Sequence, residues 1–403
     1  MSAKRYLIAF VVLSLLFLLV PACGGGGEEA TPTFTVAPIV TATPTATPTP
    51  AATGPVKIGA ISVWSGPAAL SGTAYADPVI KFVEKQVNDA GGILGGRQIQ
   101  VVKYDDRASV AEATAGAKKL VLDDKVCILT MGGISAAEFA AVSDVAEELR
   151  VPYIPFSGFI GIEEKTFTWQ SSPANKTFTT VIVDLVNGIL QPKPKTVAFI
   201  QMQDTIRLGR AKEQSQLLEA AGIKTVYNQD IPYTTSDFAP YLTRIKYLDP
   251  DVLVTNLDSE WAITVAKQIM ELGGWGDIKV IGLSQSISAA KMPGAEGWII
   301  VTTWTPGLDY PASLRFEQDW KAIIGGVPGG NHVYFYLSLL MAVEAIKFAG
   351  TDDPIKINQA LQSANLQFDT PMGMAHIIAN NDPSLKYMYV QIQKGGTTVP
   401  FKQ

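Results

Sequence analysis

Apolar positions along this chain switch repeatedly between two periods. Residues 56–63 form a short β-branched apolar run that reads as a buried strand. Ser65-Gly66-Pro67 breaks it. Tyr75, Val79, Phe82, Val83 and Val87 then recur at spacings of three and four, which is one face of a helix. Asn88-Asp89-Ala90-Gly91-Gly92 and Gly95-Gly96 end that helix and turn the chain, and Ile99, Val101 and Tyr104 alternate in a second strand. A β-loop-α-β unit of this kind predicts parallel strands joined by a right-handed crossover. Ligands of open parallel sheets sit at the carboxyl ends of the strands. The loop 64–72, with Trp64 and Ser71, is therefore the first candidate for a site.

The alternation continues. Ser109 and Glu112 stand at capping-box spacing before a helix predicted through Leu122, and Ser135 and Glu138 do so before one predicted to Arg150. Strands are predicted at 126–131, 151–156, 197–201, 225–229, 252–256 and 279–283. Helices are predicted at 208–221, 238–248 and 259–273, with a helical region from Ala312 onward. Tyr336, Leu339, Leu340, Val343 and Ile346 form a core stripe there. The pattern predicts an α/β protein with two Rossmann-like lobes and parallel central sheets.

The N-terminus obeys neither period. Lys4-Arg5 precedes an uncharged apolar run from Tyr6 to Val20, short for a membrane span and suited to a signal-peptide core. It ends at Val20-Pro21-Ala22-Cys23, which resembles a bacterial lipobox. Residues 1–22 are then a lipoprotein signal peptide and Cys23 carries the lipid; ordinary signal cleavage and an uncleaved anchor are the alternatives. Residues 23–55 are a lipidated Cys and a Thr/Pro-rich tether that cannot bury a core.

Bulk properties narrow the function. About 350 residues after the tether suit two domains, and 47% apolar content fills their cores. The net charge of −5 becomes −7 once Lys4 and Arg5 leave with the signal, a poor balance for a nucleic-acid partner. Cys127 has no partner in the mature chain and reads as a buried strand residue. Two histidines, His332 and His376, complete no zinc set or nucleophilic triad, and no GxSxG or GxxxxGK[ST] occurs. An enzyme is disfavoured, and no cofactor or metal is expected.

The turn Asn88-Asp89-Ala90-Gly91-Gly92-Ile93-Leu94-Gly95-Gly96-Arg97 with Tyr104-Asp105-Asp106 resembles the branched-chain amino-acid-binding, leucine-binding-like family of type I periplasmic solute-binding proteins. Ile58-Gly59, Ser65-Gly66-Pro67, Val151-Pro152-Tyr153-Ile154-Pro155, Thr235-Ser236-Asp237-Phe238 and Ala295-Glu296-Gly297 add to the likeness. The resemblance implies two lobes joined by a three-segment hinge: 56–171 with 301–370, and 172–300 with 371–403. It implies a small-molecule solute held between them, ABC permease subunits as partners, and export with a lipid anchor through Cys23. A sensor lipoprotein signalling to a membrane receptor is the competing function.

The resemblance also places the site. First-lobe contacts fall on 64–72, on Ile134, Ser135 and Ala136, and on Phe156, Ser157, Gly158 and Phe159. Ser135 and its neighbours' N–H groups would meet a carboxylate at a helix start, or Ser135 is a cap alone. The second lobe departs from the family. Its Asp-x-x-Tyr-Gly-x-Gly loop is replaced by 201–209, with Ile206 at the tyrosine position. The loop that carries an acidic partner for the ligand's ammonium reads Leu283-Ser284-Gln285-Ser286. An ammonium buried without a counter-charge is costly. Asp258 either substitutes or caps a helix. Arg207 is either a solvated loop residue or a bidentate clamp on a carboxylate. Trp64, Phe156, Phe159, Trp304 and Tyr334 are core residues or apolar walls. Ligand identity stays open between a branched-chain amino acid and an amide, keto acid or aromatic carboxylate.

Overall fold

The computed structural model describes residues 53–66, 68–158, 161–173, 175–377 and 384–401. The signal segment, Cys23, nearly all of the Thr/Pro-rich stretch, Pro67 and Phe159 lie outside the described residues.

The first sheet is parallel and four-stranded, in the order β2-β1-β3-β4: β1 Val56–Ser62, β2 Ile99–Asp105, β3 Leu129–Met131 and β4 Tyr153–Pro155. Val56 stands opposite Ile99, Gly59 opposite Leu129, and Leu129 opposite Tyr153. Helix α1 (Asp77–Asp89) buries Val79, Phe82 and Val83 against one face. Helices α2 (Val110–Leu122) and α3 (Ala136–Leu149) bury Leu120, Phe139 and Val142 against the other.

The turn between α1 and β2 is held by its own side chains. Asn88 Nδ2 donates to the Ile99 carbonyl at 3.0 Å, and Asn88 Oδ1 accepts from the Ile99 N–H at 2.8 Å. Gly92 has φ +77°, and a Cβ there would stand 2.3 Å from the Arg97 carbonyl oxygen, so only glycine fits. The signature motif thus fixes a helix-to-strand turn and lines neither hollow of the interlobe cleft.

The predicted strands at 126–131 and 151–156 shorten to three residues each. Cys127 precedes β3 rather than lying within it; it is buried, with Sγ 3.3 Å from the Lys57 carbonyl. Backbone bonds to β1 run on before the regular strand, the Cys127 N–H donating to the Lys57 carbonyl at 3.0 Å and the Gly59 N–H to the Ile128 carbonyl at 2.9 Å.

The chain then builds a second sheet. Helix α4 (Asn175–Asp184) leads to β5 (Thr196–Met202), α5 (Thr205–Ala220), β6 (Lys224–Ile231), α6 (Ala239–Leu248), β7 (Val252–Asn256), α7 (Ser259–Glu271), β8 (Lys279–Leu283) and β9 (Ile299–Thr302). Strands β6-β5-β7-β8-β9 are parallel neighbours in that order. Helices α8 (Pro311–Ile323), α9 (Gly330–Ala349) and α10 (Pro354–Leu361) return to the core of the first sheet. An antiparallel hairpin follows, β10 (Gln367–Thr370) with β11 (Gly373–His376). Strands β12 (Met388–Ile392) and β13 (Thr398–Pro400) then extend the second sheet beyond β9, antiparallel. Helix α9 has the length and hydropathy to cross a membrane, but its Leu339, Val343 and Ile346 are fully buried in the first core.

The molecule is α/β with two parallel-centred sheets, and the chain passes between them after β4, after β9 and before β12. The carboxyl ends of both sheets converge on one cleft, because loops from β3, β4, β5, β7 and β8 all line it.

Candidate functional site

Two overlapping hollows of about 80 Å³ and about 90 Å³ make up the cleft. They share Ile134, Phe139, Phe156, Ser157, Arg207, Gln285 and Tyr334.

On the first-sheet side, the loop from β3 into α3 is closed by its own residues. Ser135 is the N-cap of α3, and Ser135 Oγ accepts from the Glu138 N–H at 3.4 Å. Glu138 Oε2 reaches back to accept from the Ile134 N–H at 2.8 Å and the Ser135 N–H at 2.7 Å. This is a complete capping box. The Ile134 and Ser135 N–H groups, two of those expected to meet a ligand carboxylate, therefore already hold one, that of Glu138. Ser135 itself lines neither hollow, while Ile134 and Ala136 do.

Beneath this loop Asp106 lies close to Glu138. A Cβ on Gly133 would stand 2.5 Å from Glu138 Oε2 and 2.8 Å from Asp106 Oδ2, so the loop needs glycine there to pass over both carboxyl groups. Asp106 Oδ2 and Glu138 Oε1 are buried without partners among the described residues. Burial, then repulsion from Glu138, pushes the Asp106 carboxyl up to about 7.

On the second-sheet side, helix α5 starts with Asp204 as its N-cap, Asp204 Oδ1 accepting from the Arg207 N–H at 2.9 Å. One turn of helix carries Ile206, Arg207 and Arg210 toward the cleft. Arg207 Nη1 donates to Asp204 Oδ2 and to the Tyr233 hydroxyl, the latter at 2.7 Å; Tyr233 in turn donates to Asp204 Oδ2 at 2.9 Å. Arg207 Nη2 donates to Asp258 Oδ1. The side chains of Arg207, Asp204 and Asp258 are only 12%, 9% and 18% exposed. Burial works to raise the Asp204 pKa, but Arg207 and the hydrogen bonds outweigh it and hold it below the ordinary carboxylate value. Asp258 stays raised, because burial and the Asp204 charge exceed the pull of Arg207. Arg207 is itself raised despite burial, held charged by its two carboxylates.

This geometry revises two readings. Arg207 is neither solvated nor a free clamp: both terminal nitrogens are committed. Asp258 stands at the N-cap position of α7 but makes no capping hydrogen bond; it turns to Arg207, and its Oδ2 is buried without a partner among the described residues.

The walls are aromatic and hydroxyl-bearing. Arg210 lies over the Phe178 ring at 4.3 Å, and burial lowers its pKa to about 10. Tyr387 packs edge-on against Phe178 at 5.2 Å, and Phe156 stacks on Phe335 at 4.2 Å. Ser284 Oγ donates to the Val301 carbonyl, so the Tyr334 hydroxyl, 2.9 Å away, donates to Ser284. Four of the hydrogen bonds among the described residues cross the cleft: Tyr334 with Ser284, Asn331 Nδ2 to Ser259 Oγ at 3.1 Å, and the Tyr75 hydroxyl with Ser259 and Ser288 at 3.3 and 3.2 Å.

Of the residues singled out from sequence, Ser71, Ile134, Ala136, Phe156, Ser157, Gly158, Ile206, Arg207, Asp258, Ser284, Gln285 and Tyr334 line the cleft. Trp64 does not. Its ring lies over Gly72, where a Cβ would be 2.6 Å from the indole, and its Nε1–H donates to Asp77 Oδ1 at 2.8 Å. It braces the loop against α1 instead. Trp304 is fully buried in the first core. Sequence reasoning missed Asp204, Arg210, Tyr75, Phe178, Trp261, Asn331 and Tyr387. Arg210 had a signal: it follows Ile206 by four residues and so shares its helix face. Asn331 had the same kind of signal, three residues before Tyr334 on one helix; Tyr387 had none, since it comes from a distant segment of the chain.

Two parallel-centred α/β units with a cleft at their carboxyl ends form the type I periplasmic-binding-protein fold. The sequence profile described as periplasmic binding protein matches residues 55–397, and the chain belongs to that family, in its leucine-binding-like branch. An "Amino acid binding protein" of Pseudomonas aeruginosa is 27% identical over 327 residues, covering 79% of this chain and 84% of the relative. A solute-binding protein of an ABC transporter from Rhodopseudomonas palustris, crystallised with 3,4-dihydroxybenzoic acid, superposes with TM-score 0.76 at 23% identity, covering 86% of this chain and 96% of that one. A leucine-binding protein of Thermotoga maritima superposes with TM-score 0.75 at 18% identity over 86% of this chain and 98% of its own. At these identities the two structures speak for the fold alone.

Proposed function

We propose that this chain is the exported, lipid-anchored solute-binding component of an ABC importer. It captures a small carboxylate or amide without an α-ammonium and hands it to the permease. The lobes in this reading are 56–171 with 301–370 and 172–300 with 371–403, joined by three crossing segments, and Cys23 with its Thr/Pro-rich tether holds them near the membrane.

One observation supports the choice of ligand: Asp204 and Asp258, two of the acids lining the cleft from the second sheet, are already bonded by Arg207. An ammonium entering between them would lose its hydration to meet acids that already hold a cation, and Glu260, which also lines the cleft, is a weaker counter-charge because burial and Asp258 raise its pKa. Arg210 and the Phe156, Phe178, Tyr334 and Tyr387 rings favour a flat or branched apolar body with an anionic or polar end. Asp258 Oδ2, still without a partner, suits a neutral donor such as an amide N–H or a hydroxyl. The relatives named for amino acids and the solved neighbour holding a hydroxylated benzoate bracket the chemistry.

The test is a thermal-shift screen of the purified protein against leucine, isoleucine, valine, their 2-oxo acids, benzoate, hydroxybenzoates and the matching amides, with titration calorimetry on each hit. Deaminated carboxylates or amides are expected to raise Tm and the amino acids to leave it within error. Micromolar binding of leucine, isoleucine or valine would overturn this ligand class.

A further inference from the structure

The Asp204–Arg207–Asp258 cluster has an unusual place for so costly a group. Buried ion pairs seldom gain net stability over apolar replacements, and this one faces a cleft rather than a core. Its two carboxylates arrive from different loops, Asp204 after β5 and Asp258 after β7. Their meeting point is where the strand order of the second sheet brings β5 and β7 side by side. Without Arg207 they would form a dianionic cradle opening into the cleft, and such a cradle demands a cation. Arg207 supplies it from within the chain, reaching both acids with one guanidinium. Tyr233 orders the arrangement by accepting from Arg207 and donating to Asp204.

We propose that Arg207 is a specificity-determining residue of the cleft: an internal cation that fills the Asp204/Asp258 cradle and so denies that cradle to a ligand's ammonium. The inference deepens the solute-binding reading and rests on it for its biological sense, though the cradle can be tested without knowing the solute. Selection of this kind works by occupation: the competing ligand is refused because its receptor is already full.

Removing the guanidinium should turn the cradle into a receptor for small external cations. The experiment compares wild type with Arg207→Gly, and with the charge-balanced pair Arg207→Gly plus Asp204→Asn in case the single variant does not fold. Each is melted with methylguanidinium or ethylammonium chloride, against sodium chloride and acetamide at equal concentration. A saturable rise in variant Tm is expected, about 2 °C at ten times the dissociation constant, with no rise in wild type and none from acetamide. The single variant should also gain at least tenfold in affinity for 3-methylbutylamine over wild type. No cation-specific rescue in either folded variant, or equal rescue by acetamide, would overturn the proposal; so would wild type binding the amine as tightly as the variant. A wild type that ignores every solute in the carboxylate and amide screen, while the variants still take up cations, would sink the proposed ligand class and leave the cradle standing.

Discussion

The two sides of the cleft solve the same problem with opposite charges. On the first-sheet side, the N–H groups at the start of α3 attract an anion, and Glu138 supplies it from one turn further along the same helix. On the second-sheet side, two carboxylates attract a cation, and Arg207 supplies it from the first turn of α5. The costs differ. Glu138 is an ordinary local cap, bonded to neighbours within four residues. The Arg207 cluster spans loops more than fifty residues apart and buries three charges. The first can form with its helix, whereas the second exists only when β5 and β7 are paired. The proposed preference for a carboxylate or amide rests on these two internally filled receptors, beside Glu260, which also lines the cleft.

Three measurements sharpen or break this contrast. The largest effect is expected from Arg207→Met, which leaves Asp204 and Asp258 without the cation that bonds them both. Urea denaturation at pH 7 should show a loss of about 3–5 kcal/mol; a loss under about 1 kcal/mol would mean the cluster is hydrated and the charge argument fails.

Next is Asp106→Asn. The folded Asp106 carboxyl is raised to about 7, so its contribution to stability is fully present below pH 4 and is lost as pH rises through 7. The asparagine variant escapes that loss. Its advantage over wild type should grow from nothing near pH 4 to at most about 4 kcal/mol above pH 7. The amide also keeps an acceptor for the Ala108 N–H. A pH-independent difference between the two proteins would show that Asp106 titrates normally.

The smallest effect belongs to Glu138→Ala. Losing the capping carboxylate leaves the Ile134 and Ser135 N–H groups unpaired and should cost about 1–2 kcal/mol. It should also lower the Asp106 pKa by removing a neighbouring charge, flattening the pH dependence just described. Retention of the full wild-type pH dependence would separate the two carboxyl groups.

Much of the fold was legible because its signals are local. The turn from Asn88 to Gly96 contains residues whose side chains and backbone close it within a dozen positions, so its spelling suffices. The boundaries predicted for β7 and β8 match the observed strands, since buried parallel strands are apolar throughout and bounded by turn residues. Strands β3 and β4 came out shorter than their apolar runs, because burial extends beyond regular pairing there.

The loops of the cleft were legible, but the commitments of their side chains were not. The sequence by itself determined the alternation of strands and helices, the family turn, the caps at Ser109 and Ser135, and a set of loops at strand ends. Those follow from periodicity and from hydrogen bonds within one turn. Only the tertiary structure decided that Trp64 braces α1 instead of lining the cleft, that Glu138 fills the anion receptor of its own loop, and that Arg207 bridges Asp204 to Asp258. Those outcomes depend on which loops the strand order brings together, and on how far a buried charge must reach to find its opposite.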